Sequence, residues 1–261
     1  MQTFSTKETD RLTMSFTGKV VIITGASSGI GASAAKLFSN EGARVVIVGR
    51  NQDLLSASAA QCNSPLVVRA DITIESEAQR VVDETIKKFG QIDVLVNNAG
   101  GIPLTIGLLE DGVMQAFDDV INLNLRSVVH LTTLAAPHLI KTKGNIVNIS
   151  SMAGVTPPFG PGVSSYCVAK AGLNHFTVCA AVELGSHGVR VNTISPGPVR
   201  TNFVQNAKLS STYEDVAPLT LLKRVSEPEE IADMILFLAS SRAKGITGVN
   251  WYSDNGYALQ R

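Results

Sequence analysis

The sequence predicts an α/β fold: a doubly wound, parallel sheet with helices on both faces. Three observations carry this. Short β-branched runs alternate with longer stretches of helical periodicity. Most of the short runs are continuously apolar rather than alternating, as in strands buried on both faces. No Pro/Ser/Gly linker, repeat or low-complexity run divides the 261 residues, so a single domain is expected over 14–261, after a loose tail at 1–13.

The strands are expected at 19–24, 44–48, 66–69, 94–97, 145–149, 190–194 and 248–252. Helical stretches fall between them, at about 30–40, 51–61, 74–89, 112–141, 165–185 and 227–240. The segment 198–226 has weak periodicity and reads as a loop with short helices. In such a sheet a ligand sits beyond the carboxyl ends of the strands, so the chemistry is sought there.

Composition excludes several functions. Lys plus Arg is 22 and Asp plus Glu is 22, a formal charge of zero. That argues against a nucleic-acid partner, which needs clustered cations. Apolar runs such as VVIITGA and VVHLTTLAAPHLI are too short or too interrupted to span a bilayer. The first thirteen residues mix charges and lack an apolar core, unlike a signal peptide. Cys62, Cys167 and Cys179 form no CxxC pair and read as reduced thiols of a cytoplasmic protein. The four histidines show no ligand spacing, so no metal site is expected.

The first predicted strand runs into Thr24-Gly25-Ala26-Ser27-Ser28-Gly29-Ile30-Gly31. Glycines allow a tight turn and close backbone approach, and the helix start that follows offers unpaired N–H groups and a positive dipole end. This suits a diphosphate, and the fold becomes a Rossmann-type dinucleotide site. No Gly-Lys-Ser/Thr follows, so it is not an NTPase loop. The ribose of such a cofactor meets the end of the second strand. NAD wants an acid there and NADP an arginine. The strand ends in Gly49 and Arg50, with no carboxylate before Asp53. A guanidinium clamps a phosphate through paired N–H bonds, so NADP(H) is expected over NAD(H).

Residues 164–172 read SSYCVAKAG, with Tyr166 four residues before Lys170. A bare Tyr–Lys pair of this spacing is common on solvated helices and decides nothing alone. With the other motifs it does. The chain resembles the short-chain dehydrogenase/reductases. TGASSGIG matches the family's TGxxxGxG, Asn97-Asn98-Ala99-Gly100 its NNAG, and Asn124 in INLNLRS its helix asparagine. Ser151 closes IVNISS, Tyr166 and Lys170 match YxxxK, and Pro196-Gly197-Pro198-Val199-Arg200-Thr201 matches PGxVxT. The six stand in family order across about residues 18–256.

The resemblance implies a role for each matching residue. Gly25, Ser27, Ser28, Gly29 and Ile30 would cradle the diphosphate. Asp71, with Ile72 beside it, would contact adenine. Asn98, Ala99 and Gly100 would flank the adenosine ribose. Val199 and Thr201 would contact the nicotinamide carboxamide, with Pro196 and Gly197 beside them on the cofactor. Ser151 would hold the substrate oxygen, Tyr166 would act as acid or base, Lys170 would bind the nicotinamide ribose, and Asn124 would hold a relay water. The family also implies a homo-oligomer, a tetramer or dimer, built on the 112–141 and 165–185 helices and the C-terminal strand.

Three departures stand out. Ser151 and Tyr166 are fifteen apart, two more than the commonest family spacing, which leaves Ser150 as an alternative. Asp254-Asn255-Gly256 replaces the frequent DGG. Position 28 is Ser where many NADP-preferring relatives carry a base, so the 2′-phosphate rests mainly on Arg50.

Reducing a ketone needs a hydride on carbon and a proton on oxygen, and the protein supplies the proton. A free tyrosine titrates near 10, too high for an efficient base near neutrality. A cation at about 4 Å contributes roughly 4 kcal/mol at an effective dielectric of ~20. At about 1.4 kcal/mol per unit, Lys170 is expected to lower the Tyr166 pKa by up to about three units. Residues four apart share a helix face, and Ser164 or Ser165 is expected to cap this helix. Ser151 would donate to the oxygen as charge develops.

The expected activity is an NADP(H)-dependent ketone reductase or alcohol dehydrogenase acting on a small, apolar carbonyl or alcohol. Phe203, Val204, Leu209, Tyr213 and Leu219 in the 198–226 loop suit an apolar pocket, or equally a seal against the core. A non-catalytic dinucleotide sensor on the same fold is the alternative. An epimerase or dehydratase would need a longer substrate domain.

Overall fold

A computed structural model describes residues 14–103, 105–157, 160–203, 207 and 212–260. The expected tail at 1–13 lies outside the described residues, as do Val204 and Leu209.

Seven strands form one sheet, paired parallel throughout: β1 (Val20–Thr24), β2 (Arg44–Gly49), β3 (Leu66–Arg69), β4 (Val94–Asn97), β5 (Asn145–Ile149), β6 (Arg190–Pro196) and β7 (Asn250–Ser253). Their order is β3-β2-β1-β4-β5-β6-β7. The winding reverses between β1 and β4, where a crevice opens at the carboxyl ends. The expected strand positions hold within two residues; β6 runs on to Pro196 and β7 begins at Asn250.

Continuous apolar strands follow from burial on both faces. In β1, Val21 and Ile23 point to one face, where α1 (Gly29–Asn40), α2 (Gln52–Ala59) and α8 (Pro228–Ala239) cover them with Phe38, Leu55, Ile231 and Ile235. Val20 and Ile22 point to the other face. There α3 (Glu75–Phe89), α5 (Ser127–Thr142) and α6 (Ser164–Gly185) contribute Val81, Val82, Leu131, Leu139 and Ala180. In α3, Ala78, Val81, Val82 and Thr85 are buried at helical spacing, and Gly90 ends the helix with φ +78°.

The expected helix at 112–141 is interrupted. α4 (Val113–Ile121) passes into a π-helical turn, Asn122–Arg126, and then into α5. The extra residue of a π turn re-aims the side chains it carries, here Asn124. The 198–226 loop holds the short α7 (Tyr213–Val216), capped reciprocally by Thr212 and Asp215, and a 3₁₀ turn, Ala217–Leu219. Among the described residues, no helix is long and apolar enough to cross a membrane, and no His/Cys/Asp/Glu cluster could hold a metal.

Candidate active site

One cleft of about 760 Å³ runs along the carboxyl ends of the strands and contains every residue given a catalytic or cofactor-binding role from the sequence except Asn124. The glycine turn forms one end. Gly25 stands at φ +65°, and Thr24 beneath it accepts hydrogen bonds from the Asn98 and Ala99 N–H groups, both at 3.0 Å. The Asn98 side-chain amide donates to the Thr24 and Gly25 carbonyls at 2.9 and 3.2 Å. A Cβ on Gly31 would stand 2.4 Å from the Gly25 oxygen, so only glycine lets the turn close. Thr24 is a structural residue that the motif reading passed over, although the TG pair marks its place.

The turn fits an anion. Ser28, before the first turn of α1, makes no side-chain cap, and that turn carries no acid. The leading N–H groups of a helix lack partners within it. Further along, Arg50 lines the cleft with its side chain 71% exposed, 3.7 Å from the Asp71 carboxylate. Asp71 accepts from the Thr73 N–H and hydroxyl at 3.0 and 2.7 Å. Burial works against its charge, but the Thr73 bonds and Arg50 together hold its pKa below the usual carboxylate value. These features suit the adenosine end of a dinucleotide.

The other end gathers the Tyr166–Lys170 pair. Both sit in the first two turns of α6 and both are buried, at 8% and 3% exposure. The Lys170 ammonium donates to the Ile149 carbonyl at 2.9 Å and lies 5.5 Å from the Tyr166 ring centroid. Neither Ser164 nor Ser165 caps the helix; Val163 occupies the cap position with no side-chain bond. Both serines have already entered helical geometry, one residue too late.

The expected lowering of the Tyr166 pKa is reversed. Burial pushes the phenol up to about 12, while the Ser151 hydroxyl beside it pulls the other way. Burial also lowers Lys170 to about 8. A lysine whose ammonium is committed to a main-chain carbonyl, over the ring face, does little for the phenol oxygen.

Ser151 follows β5. Its hydroxyl oxygen accepts from the Ala153 N–H at 3.1 Å, capping the turn Met152–Gly154, and its hydrogen is left to donate. Ser150 is buried, and its hydroxyl donates to the Lys170 carbonyl at 3.1 Å. Of the two serines, then, Ser151 faces the phenol and Ser150 anchors α6. Asn124 is fully buried outside the cleft wall. Its Oδ1 accepts from the Gly101 N–H at 2.9 Å, and its Nδ2 donates to the Gly101 and Val120 carbonyls at 2.8 and 2.9 Å. It ties the π turn to the segment after β4.

After β6, Pro196, Gly197, Val199 and Thr201 complete the wall. Phe203 packs on the Tyr166 ring at 5.7 Å between centroids, and Tyr213 and Leu219 also line the cleft.

The family model described as "Enoyl-(Acyl carrier protein) reductase" matches residues 25–258. Meso-2,3-butanediol dehydrogenase of Serratia marcescens is 36% identical, over 93% of this chain and 96% of its own. A Caenorhabditis elegans short-chain dehydrogenase/reductase of unknown function, solved with cofactor, superposes with a TM-score of 0.86 at 37% identity, covering 94% of this chain and 96% of its own. A 3-ketoacyl-(acyl-carrier-protein) reductase from Brucella melitensis, solved with NADH, superposes with a TM-score of 0.86 at 30% identity, covering 94% of this chain and all of its own. The parallel sheet, the glycine turn and the Tyr166–Lys170 pair agree with these matches: the chain belongs to the short-chain dehydrogenase/reductase family of oxidoreductases.

Proposed function

We propose that the protein interconverts the carbonyl and secondary alcohol of a small, apolar substrate with NADP(H). The observation that carries this is the meeting of Ser151, Tyr166 and Lys170 at one end of a cleft whose other end is an anion-binding glycine turn. NADP(H), when bound, supplies or accepts the hydride. Gly25, Ser27, Ser28, Gly29 and Ile30 would hold its diphosphate, Arg50 its 2′-phosphate, Asp71 and Ile72 its adenine, and Asn98, Ala99 and Gly100 the adjoining ribose. Lys170 would hold the second ribose, and Pro196, Gly197, Val199 and Thr201 the carboxamide.

The chain's own task is the proton. A phenol with a pKa near 12 is protonated at neutral pH, which supports Tyr166 as the acid toward a carbonyl oxygen. Ser151 donates a hydrogen bond to the same oxygen as its charge grows. Asn124 acts from behind, fixing Gly101 and the π turn. Ile102, Met152, Val163, Phe203 and Val216 line the substrate end and favour an apolar substrate.

Arg50, mostly exposed at the cleft edge and only 3.7 Å from the Asp71 carboxylate, supports NADP(H) over NAD(H) through the guanidinium it offers a 2′-phosphate. The three free cysteines accord with a reducing, cytoplasmic setting. Val168, Val178 and Val182 are exposed along α6, Val182 at 76%, which supports a homo-oligomer, a dimer or tetramer. A screen of ketones and alcohols with NADPH and NADH side by side tests the proposal. It predicts turnover with an apolar ketone and a higher kcat/KM with NADPH; a higher kcat/KM with NADH removes the role given to Arg50.

A further inference from the structure

The phenol of Tyr213 lies in α7, outside every motif read in the sequence, yet it makes two bonds to a single residue of the cofactor wall. Its hydroxyl donates to the Thr201 carbonyl at 2.5 Å and accepts from the Thr201 N–H at 3.0 Å. One side chain thereby satisfies both main-chain polar groups of Thr201, which leaves that residue little freedom of φ and ψ.

Thr201 touches both ends of the chemistry. A Cβ placed on Gly29 would stand 2.9 Å from the Thr201 methyl, so the Thr201 side chain closes directly over the start of α1. The Thr201 hydroxyl oxygen accepts from the Phe203 N–H at 3.2 Å, and the Phe203 ring packs on Tyr166. The path from Tyr213 thus runs to the diphosphate turn on one side and to the proposed proton donor on the other.

Tyr213 is itself held. The Arg200 guanidinium lies over its ring, 5.4 Å from the centroid, and pairs with Glu214 at 3.4 Å and Glu227 at 3.2 Å. The Thr212–Asp215 capping box fixes the turn it starts from. The exposed ion pairs contribute little each; the two phenol bonds are the specific part.

We infer that Tyr213 is a positioning residue: through its two hydrogen bonds it holds Thr201 against the cofactor, and so sets how long the dinucleotide stays bound. This rests on the reading of the cleft as a nicotinamide dinucleotide site. It also assigns a function to a loop residue whose apolar ring would otherwise be counted as pocket lining.

The test is stopped-flow displacement of NADPH, and separately of NADH, from the wild-type, Tyr213→Phe and Arg200→Gln proteins, with thermal unfolding of each ligand-free protein alongside. Tyr213→Phe keeps the ring and removes both bonds. The expected result is dissociation faster by about thirtyfold, from two bonds worth about 1 kcal/mol each, with the ligand-free Tm within about 2 °C of wild type. Arg200→Gln keeps the phenol bonds and is expected to leave dissociation within about twofold. Unchanged dissociation in Tyr213→Phe overturns the inference, as does equal acceleration in Arg200→Gln, which would mean a general loosening of the loop. A wild-type protein that binds neither dinucleotide overturns the reading of the cleft itself.

Discussion

The Lys170 ammonium stands over the ring of Tyr166, 5.5 Å from its centroid, and gives a hydrogen to the main chain of β5 rather than to the phenol oxygen. Two buried ionisable groups therefore meet without neutralising each other's desolvation, and each is displaced toward its uncharged form.

This makes the ligand-free protein's stability depend on pH in a defined way. Lys170 titrates near 8 when folded and near 10.5 when unfolded. Between these values the unfolded chain holds more protons, so stability rises with pH, by an amount on the order of 3 kcal/mol. Tyr166 has the opposite sign. Its folded value of about 12 exceeds its unfolded 10.0, so its contribution is full below pH 10 and is lost as pH rises toward 12. Urea unfolding of wild type and Lys170→Met from pH 7 to 10 checks this: the rise above pH 8 belongs to wild type alone. A flat wild-type profile contradicts it.

The two serines after β5 are expected to separate by function. Ser151→Ala is expected to lower kcat by about a hundredfold or more, the usual loss of an oxyanion donor, with the fold intact. Ser150→Ala removes the bond to the Lys170 carbonyl and is expected to cost about 1 kcal/mol of stability with a smaller effect on kcat. Steady-state kinetics and chemical unfolding on both variants decide; the reverse pattern would transfer the role to Ser150.

Asn124 is expected to affect stability and catalysis together. Asn124→Ala strips three hydrogen bonds from main-chain groups, the Val120 carbonyl buried and the two of Gly101 partly buried, a loss of about 3 kcal/mol. Gly100→Ala probes the same junction from the cleft side, because its Cβ would stand 2.7 Å from Asn124 Oδ1 and 3.1 Å from Lys170 Nζ. A kcat lower by about tenfold to a hundredfold is expected from the displaced lysine. A Gly100→Ala enzyme with wild-type kcat would show that this junction does not position Lys170.

Much of the fold was legible because its signals are local. The run VVIIT leading into TGASSGIG announces a buried strand, a tight turn and a helix start within twelve residues, and the structure has them there. The π turn around Asn124 was not legible. Its extra residue changes hydrogen-bond registry without changing composition, so 112–141 reads as one helix. The Tyr166 pKa was misread for a related reason. Spacing shows that Lys170 shares a face with Tyr166, but not that burial outweighs the cation or that Ile149 takes the ammonium. Tyr213 went unrecognised because its partner, Thr201, is twelve residues away across a loop of weak periodicity.

Cofactor preference is expected to follow Arg50. Its guanidinium is mostly exposed and stands 3.7 Å from Asp71, so its loss disturbs little of the fold. Arg50→Ala is expected to weaken NADPH binding by about tenfold to a hundredfold, the range of a charge-assisted hydrogen bond, with NADH within about twofold. Fluorescence titration of both dinucleotides reads this out, and parallel losses for NADPH and NADH would remove the 2′-phosphate contact.

The central claim is that Tyr166 delivers the proton. Its most direct test is single-turnover reduction of an accepted ketone by NADPH, comparing wild type with Tyr166→Phe at matched cofactor saturation. The account predicts a rate lower by about a hundredfold to ten-thousandfold, with NADPH still bound. A Tyr166→Phe enzyme that reduces the ketone at near the wild-type rate would contradict it.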